Sequence, residues 1–219
     1  MNKEQNILFA KRNLVDSIWK SLNLEGFNTT YPDTYDIIEK AQLKDISSDE
    51  VLIANNLKLS WKLILDTIDT EIDVDFLKTL HSEVARGIAL EWGVLRSGKV
   101  GVGGTSYIPP IPSEDTLTSL LSELNKIEDP LLRATTVAAN LIKGQYFWDG
   151  NKRTAMLIAN KILIENGCGL LSVPIEELST FNSLLNRYYA NDEQSEFISF
   201  LCERCHTLPV IALPDEVSS

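Results

Sequence analysis

The chain is predicted to be all-α with a single β-hairpin. Three observations predict it. Apolar residues recur at helical spacing along most of the chain. Acidic or hydroxyl residues stand just ahead of these stripes, where helix N-caps belong. Glycine and β-forming residues concentrate in one segment, Arg96 to Pro110.

Leu14, Ile18 and Leu22, with Val15 and Trp19, form the first apolar stripe. Pro32-Asp33 opens a short helix carrying Tyr35, Ile38 and Ala41. Ser47 to Glu50 supplies a cap and early acids for a long helix with Leu57, Trp61, Ile64 and Ile68. Asp73 heads a helix with Phe76, Leu77, Leu80, Val84 and Ile88, and Ser113 heads one with Leu117, Leu121 and Leu124. Asp129-Pro130 begins another, bearing Ala134, Val137, Ala138, Leu141 and Ile142. Further helices are expected from about Asn151 to Glu165, Pro174 to Tyr189 and Glu193 to His206. Between these, Gly103-Gly104 separates Val100-Gly101-Val102 from Thr105-Ser106-Tyr107-Ile108, the pattern of a hairpin turn, and Pro109-Pro110 ends any strand pairing. Such a hairpin is marginal alone and must lean on helices. The tail from Leu208 to Ser219 is expected to fray.

At 219 residues, with 44% apolar and 23% charged side chains, the chain suits one folded domain with an appended arm. The net charge of −11 argues against general nucleic-acid or membrane-surface binding. The three cysteines and the absence of an apolar leader point to a cytoplasmic protein.

The informative segment is Gln145-Tyr146-Phe147-Trp148-Asp149-Gly150-Asn151-Lys152-Arg153-Thr154-Ala155. One helix ends, an Asp-Gly turn follows and a second helix begins. The first turn of a helix has free N–H groups and the positive end of the dipole, a natural phosphate cradle. Gly150 allows close backbone approach, Lys152 and Arg153 add two cations, and Asp149 offers a hard oxygen for Mg²⁺ shared with a phosphate. The plainer reading is a capped turn with two solvated cations.

This segment resembles the signature loop of the Fic/Doc (fido) family, His-Pro-Phe-x-Asp/Glu-Gly-Asn-Gly/Lys-Arg. The resemblance implies a Fic-like helical bundle in which the loop joins two helices and a flap lies upstream, here Val100 to Ile108. It implies transfer of AMP from ATP to a protein hydroxyl. By the same resemblance Phe147 anchors the loop, Asp149 holds Mg²⁺, Gly150, Asn151 and Lys152 form the anion nest, and Arg153 contacts the distal phosphates. The flap would clamp an extended target segment by strand addition.

Two departures matter. The family's general-base histidine is Gln145 here, and an amide does not titrate. His81, on a separate helix, and His206, near the C-terminus, are poor substitutes. Met156 stands where many AMP-transferring members carry a second arginine, as in the Doc-like branch, so phosphate transfer competes with AMP transfer. Gln145 also reads as a hydrogen-bonded helix-end residue that secures the loop.

Ser21-Leu22-Asn23-Leu24-Glu25-Gly26 resembles the family's inhibitory pattern, in which the glutamate intrudes on the γ-phosphate site and pairs with the second arginine. Without that arginine, either Glu25 pairs instead with Arg153 or the inhibitory pattern is a relic; the plainer reading is an ordinary helix end with Glu25 solvated and Gly26 as its C′ residue. Cys202-Glu203-Arg204-Cys205-His206 has the spacing of a haem or zinc motif but falls on an apolar stripe with Phe197, Ile198 and Leu201, so buried structural cysteines are expected. Trp19, Trp61 and Trp92 read as packing residues.

The resulting expectation is an N-terminal arm over 1–45, a Fic-like core over 46–207 and a tail over 208–219. It binds ATP and Mg²⁺ and docks a target protein on the 100–108 flap, in a toxin–antitoxin-like setting, with no nucleic-acid or membrane partner. A non-catalytic nucleotide-binding regulator on the same fold is the alternative, and homo-oligomerisation is left open.

Overall fold

The computed structural model describes residues 1–40 and 46–209. The part of the arm at 41–45 and the expected fraying tail from 210 onward lie outside the described residues. Ten α-helices run in chain order through these residues: α1 (Lys3–Arg12), α2 (Leu14–Leu24), α3 (Tyr31–Tyr35), α4 (Ser48–Asp66), α5 (Val74–Val84), α6 (Glu114–Leu124), α7 (Pro130–Gly144), α8 (Asn151–Glu165), α9 (Leu178–Asn191) and α10 (Gln194–Arg204).

Caps set many of the starts. Ser47 and Glu50 form a reciprocal capping box at α4, and the carboxylates of Asp73 and Asp129 accept from Phe76 and Leu132 N–H at α5 and α7. Helix α8 is the centre of the bundle. Every residue from Arg153 to Ile164 is buried, and α7, α4, α5 and α1 pack around it. A helix that is buried on all sides needs no amphipathic stripe.

Helix α1 has no clear apolar stripe in the sequence. A capping box between Asn2 and Gln5 starts it, and Asn6 fastens it. The fully buried Asn6 side chain donates to Gly169 C=O at 3.0 Å and accepts from Gly169 N–H at 2.6 Å. The arm is thus clasped to the core at its beginning.

The helical class holds, while the hairpin differs from expectation. Gly103-Gly104 does turn the chain, with Thr105 N–H donating to Val102 C=O at 3.1 Å and Val102 N–H donating to Tyr107 C=O at 3.4 Å. No strand ladder forms over 100–108. The Thr105 hydroxyl takes the Tyr107 N–H at 3.2 Å, a donor that would otherwise serve a ladder, and Pro109 and Pro110 have none. The strands that do pair are β1 (Leu170–Leu171), which packs on α8, and β2 (His206–Thr207), which follows α10; they run antiparallel.

Trp61 is buried and Trp19 half-buried, as packing residues should be. Trp92 is a correction: it is 43% exposed, flanked by exposed Leu90 and Val94. It lies in the irregular 88–95 segment, where no helix face turns it inward. Cys205 is buried and its thiol is pushed up to about 12 by burial. Among the described residues no three His, Cys, Asp or Glu side chains are grouped to hold a metal ion, and His206 is engaged with Cys168 C=O at 2.6 Å.

Candidate active site

The site is the turn between α7 and α8, and its conformation begins at Gln145. This residue adopts the left-handed conformation, φ 46° and ψ 55°, which is uncommon for a residue other than glycine and costs on the order of 1 kcal/mol. Four contacts hold it there. Its amide Nε2 donates to Ile142 C=O at 2.8 Å and to the Tyr189 hydroxyl at 3.2 Å. Its Oε1 accepts from Asn151 Nδ2 at 3.2 Å, and its backbone C=O accepts from Arg96 Nε at 2.5 Å. The side chain that stands in the histidine position therefore braces the end of α7.

Asn151 closes the turn from the other side. Its side chain accepts from Phe147 N–H at 2.9 Å and donates to Phe147 C=O at 2.8 Å, which ties the turn into a ring. Phe147 is buried and stacks on the His81 imidazole, with ring centroids 3.7 Å apart and planes 7° from parallel.

His81 is therefore not remote, as its place on a separate helix suggested. It is wholly buried beneath the turn. Gly93 N–H can only donate, so its 3.0 Å contact makes His81 Nδ1 an acceptor. The proton then lies on Nε2, which donates to Asp149 C=O at 2.8 Å. Burial is the main cause that holds the imidazole neutral and lowers its pKa to about 4. No sequence spacing between residues 81 and 149 announces this contact.

Asp149 and Gly150 form the outer lip. Gly150 has φ +74°, and a Cβ there would lie 3.2 Å from Val84 Cγ1, so only glycine fits easily. Asp149 Oδ1 accepts from Gly150 N–H at 2.5 Å and from Arg153 Nη2 at 3.0 Å, while its side chain is 49% exposed. One exposed carboxylate fits Mg²⁺ only if phosphate oxygens and water complete the coordination shell.

The two cations meet a carboxylate from the arm. Glu25 Oε1 lies 3.4 Å from Arg153 Nε, and Glu25 Oε2 lies 3.7 Å from Lys152 Nζ. Lys152 Nζ also donates to Leu24 C=O at 3.0 Å. Arg153 is 2% exposed, and its Nε and Nη1 lack a hydrogen-bond acceptor among the described residues. Two positive and two negative side chains thus leave the site close to neutral. Glu25 occupies the C-cap of α2, where the helix dipole disfavours an acid, so it is the cations that hold the carboxylate in place.

The same six residues end α2 as a helix should end. Gly26, at φ +94°, donates to Asn23 C=O at 3.0 Å, and Phe27 N–H donates to Leu22 C=O at 3.2 Å, a Schellman closure. Ser21 to Gly26 thus closes α2 and at the same time places Glu25 beside Lys152 and Arg153. Met156, where a second arginine was sought, is buried and lines a cavity of about 30 Å³ together with Ser21, Leu24, Trp61, Arg153 and Asn160.

Comparisons with known proteins agree with this arrangement. Residues 71–163 match the model of the Fic/DOC family. The chain is 28% identical over 197 residues to Protein adenylyltransferase Fic of Drosophila melanogaster and to that of Drosophila sechellia, across 85% of this chain and 39% of each relative. It thus spans about two-fifths of the length of these curated relatives. Among solved structures, a fragment of Fic-1 from C. elegans superposes with a TM-score of 0.74 at 18% identity, covering 90% of this chain and 62% of that one. A Fic domain containing signaling protein from Bacteroides thetaiotaomicron gives 0.76 at 19% identity, covering 89% and 83%. At these identities the structures speak for the fold. The family match spans the turn and the helices on either side of it, and the curated relatives extend the likeness into the arm. Residues 71–163 thus match the Fic/DOC (fido) family, and the fold of the chain is that of solved Fic proteins.

Proposed function

We propose that the protein binds ATP with Mg²⁺ at the α7–α8 turn and transfers AMP to a hydroxyl of a target protein, in a form restrained by its own Glu25. Residues 46–207 act as the transferring core and 1–45 as the regulatory arm. The observation that carries the reading is the pairing of Lys152 and Arg153, at the first turn of α8, with a carboxylate borrowed from the arm. Two cations at a helix N-terminus suit the negative charge of a polyphosphate, and Glu25 supplies a substitute for it.

In this reading Arg153 and Lys152 exchange Glu25 for phosphate oxygens, and Gly150 and Asn151 shape the backbone against them. Asp149 would hold Mg²⁺, which spreads the charge of the phosphates when bound. The target hydroxyl oxygen bonds to the α-phosphorus, the bridge to the β-phosphate breaks, and pyrophosphate leaves. The hydroxyl proton passes to water, because Gln145 has no acid–base capacity and is already spoken for by Ile142, Tyr189 and Asn151. The target segment lies along the 100–108 flap.

Slow turnover is expected, since a general base contributes about a hundred- to ten-thousand-fold. The test is labelled ATP with cell lysate, using the wild type, Gln145→His and Arg153→Ala. Label should rise by roughly a hundredfold or more in Gln145→His and vanish in Arg153→Ala. No label in any of the three, with no ATP–Mg²⁺ binding by calorimetry, would sink the proposal.

A second reading is favoured by the engaged side chain of Gln145: a nucleotide-binding regulator without turnover. Calorimetric binding with no labelled product, in the wild type and Gln145→His alike, selects it. Labelled γ-phosphate rather than α-phosphate on the target selects phosphate transfer.

A further inference from the structure

Among the described residues the charged side chain with the most hydrogen bonds is Arg96, which was met above only as a contact of Gln145. Arg96 is 1% exposed and has no carboxylate partner among the described residues. Its guanidinium is spent entirely on backbone carbonyls. Nε donates to Gln145 C=O at 2.5 Å, Nη1 to Gly98 C=O at 2.5 Å, and Nη2 to Pro110 C=O at 2.5 Å and Pro109 C=O at 3.4 Å. Its own N–H donates to Tyr146 C=O at 3.0 Å.

These acceptors fall into two groups. Gly98 begins the flap, and Pro109 and Pro110 end it. Gln145 and Tyr146 begin the signature turn, and Gln145 is the residue held in the left-handed conformation. A planar five-donor fork can serve both groups at once, which a single ammonium cannot. A second contact runs in parallel. The Trp148 indole lies against Gly98, where a Cβ would come within 2.6 Å of Trp148 Cη2, and Trp148 Nε1 is anchored on Glu91 at 3.0 Å.

We propose that Arg96 is a positioning residue that couples two segments, locking the flap base to the Gln145 end of the nucleotide turn so that target and nucleotide are presented in one fixed relation. This rests on the function proposed above, but the coupling itself is a property of the unliganded chain. A buried guanidinium facing only carbonyls is a costly device for mere stability, since apolar packing would fill the same space. It is suited to gathering carbonyls from two segments that have no ladder between them.

The test is amide hydrogen exchange on the full chain, comparing the wild type with Arg96→Lys and Arg96→Met. In Arg96→Met, amides of the flap and its base (97–108) and of the turn (145–149) should exchange at least roughly tenfold faster together, while core amides of α8 keep their protection. Arg96→Lys should fall between, and low-millimolar guanidinium ion should restore protection in both segments of Arg96→Met. Should Arg96→Met fail to fold, Arg96→Lys carries the same comparison. Faster exchange at the flap with an unchanged turn overturns the proposal, as does a uniform rise through every helix or unchanged exchange at both segments. This readout needs no nucleotide, so it stands or falls apart from the ATP calorimetry that tests the function.

Discussion

The turn at 145–153 and the flap at 100–108 are tied together through Arg96, yet they are built in opposite ways. Many polar groups of the turn are engaged, within it or by other parts of the protein: Gln145 by Tyr189 and Arg96, Phe147 by Asn151, Asp149 by His81 and Arg153, Lys152 by Leu24. Beyond the Val102–Thr105 closure, the flap's internal bonds are those from Val102 N–H to Tyr107 C=O and from Tyr107 N–H to the Thr105 hydroxyl, and its Ile108 is 64% exposed. In the function proposed above, the well-braced segment is the one that would receive the anion, and the sparsely bonded one would receive a segment of another chain.

The comparison is broken most directly from the turn side. His81 is neutral in the fold, with its pKa lowered to about 4, and an ordinary histidine in the unfolded chain titrates near 6.5. The unfolded chain therefore binds the extra proton first, and stability is full above about pH 6.5 and falls as pH drops toward about 4. The expected loss is about 3 kcal/mol, read from urea midpoints across that range. His81→Asn should remove most of this slope; an unchanged slope would mean that the imidazole does not carry it.

Asn151→Ala comes next. It strips partners from Phe147 N–H and C=O and should cost about 2 kcal/mol, with a matching fall in Tm. Wild-type stability in this variant would show that the ring at Phe147 is dispensable.

Glu25→Gly tests the charge pairing. Freed of their carboxylate, Lys152 and Arg153 should bind ATP–Mg²⁺ about tenfold more tightly by calorimetry, equivalent to ~1.4 kcal/mol. Equal affinity in the two proteins would leave Glu25 a helix end and nothing more. On the flap side, Ile108→Ser should move stability by less than about 0.5 kcal/mol, because little is buried there to lose. A large fall would show that the flap is packed more firmly than its bonds suggest.

The parts of this design visible in the sequence are those written in short range. Ser47, Asp73 and Asp129 cap the helices they were expected to start, because a cap and its target lie three residues apart. The stretch from Asp149 to Arg153 was legible for the same reason. What escaped depends on distance along the chain. The support of Asp149 by His81 spans 68 residues, and the bond of Gln145 to Arg96 spans 49. Helix α1 escaped because a buried asparagine, not an apolar stripe, secures it. The hairpin was over-read because propensity sees Val100, Val102 and Tyr107 but not the Thr105 hydroxyl competing for the same N–H.

If Glu25 restrains the site as proposed above, the clasp between Asn6 and Gly169 bears on how that restraint could be lifted. With its upstream neighbour pinned at the far side of the bundle, the α2 segment has a fixed pivot and cannot swing clear as a loose end. Glu25 must withdraw by unwinding the last turn before Gly26 or by swivelling its own χ angles. A small local pull near Phe27, rather than departure of the whole arm, is therefore the economical place for any activating partner to act.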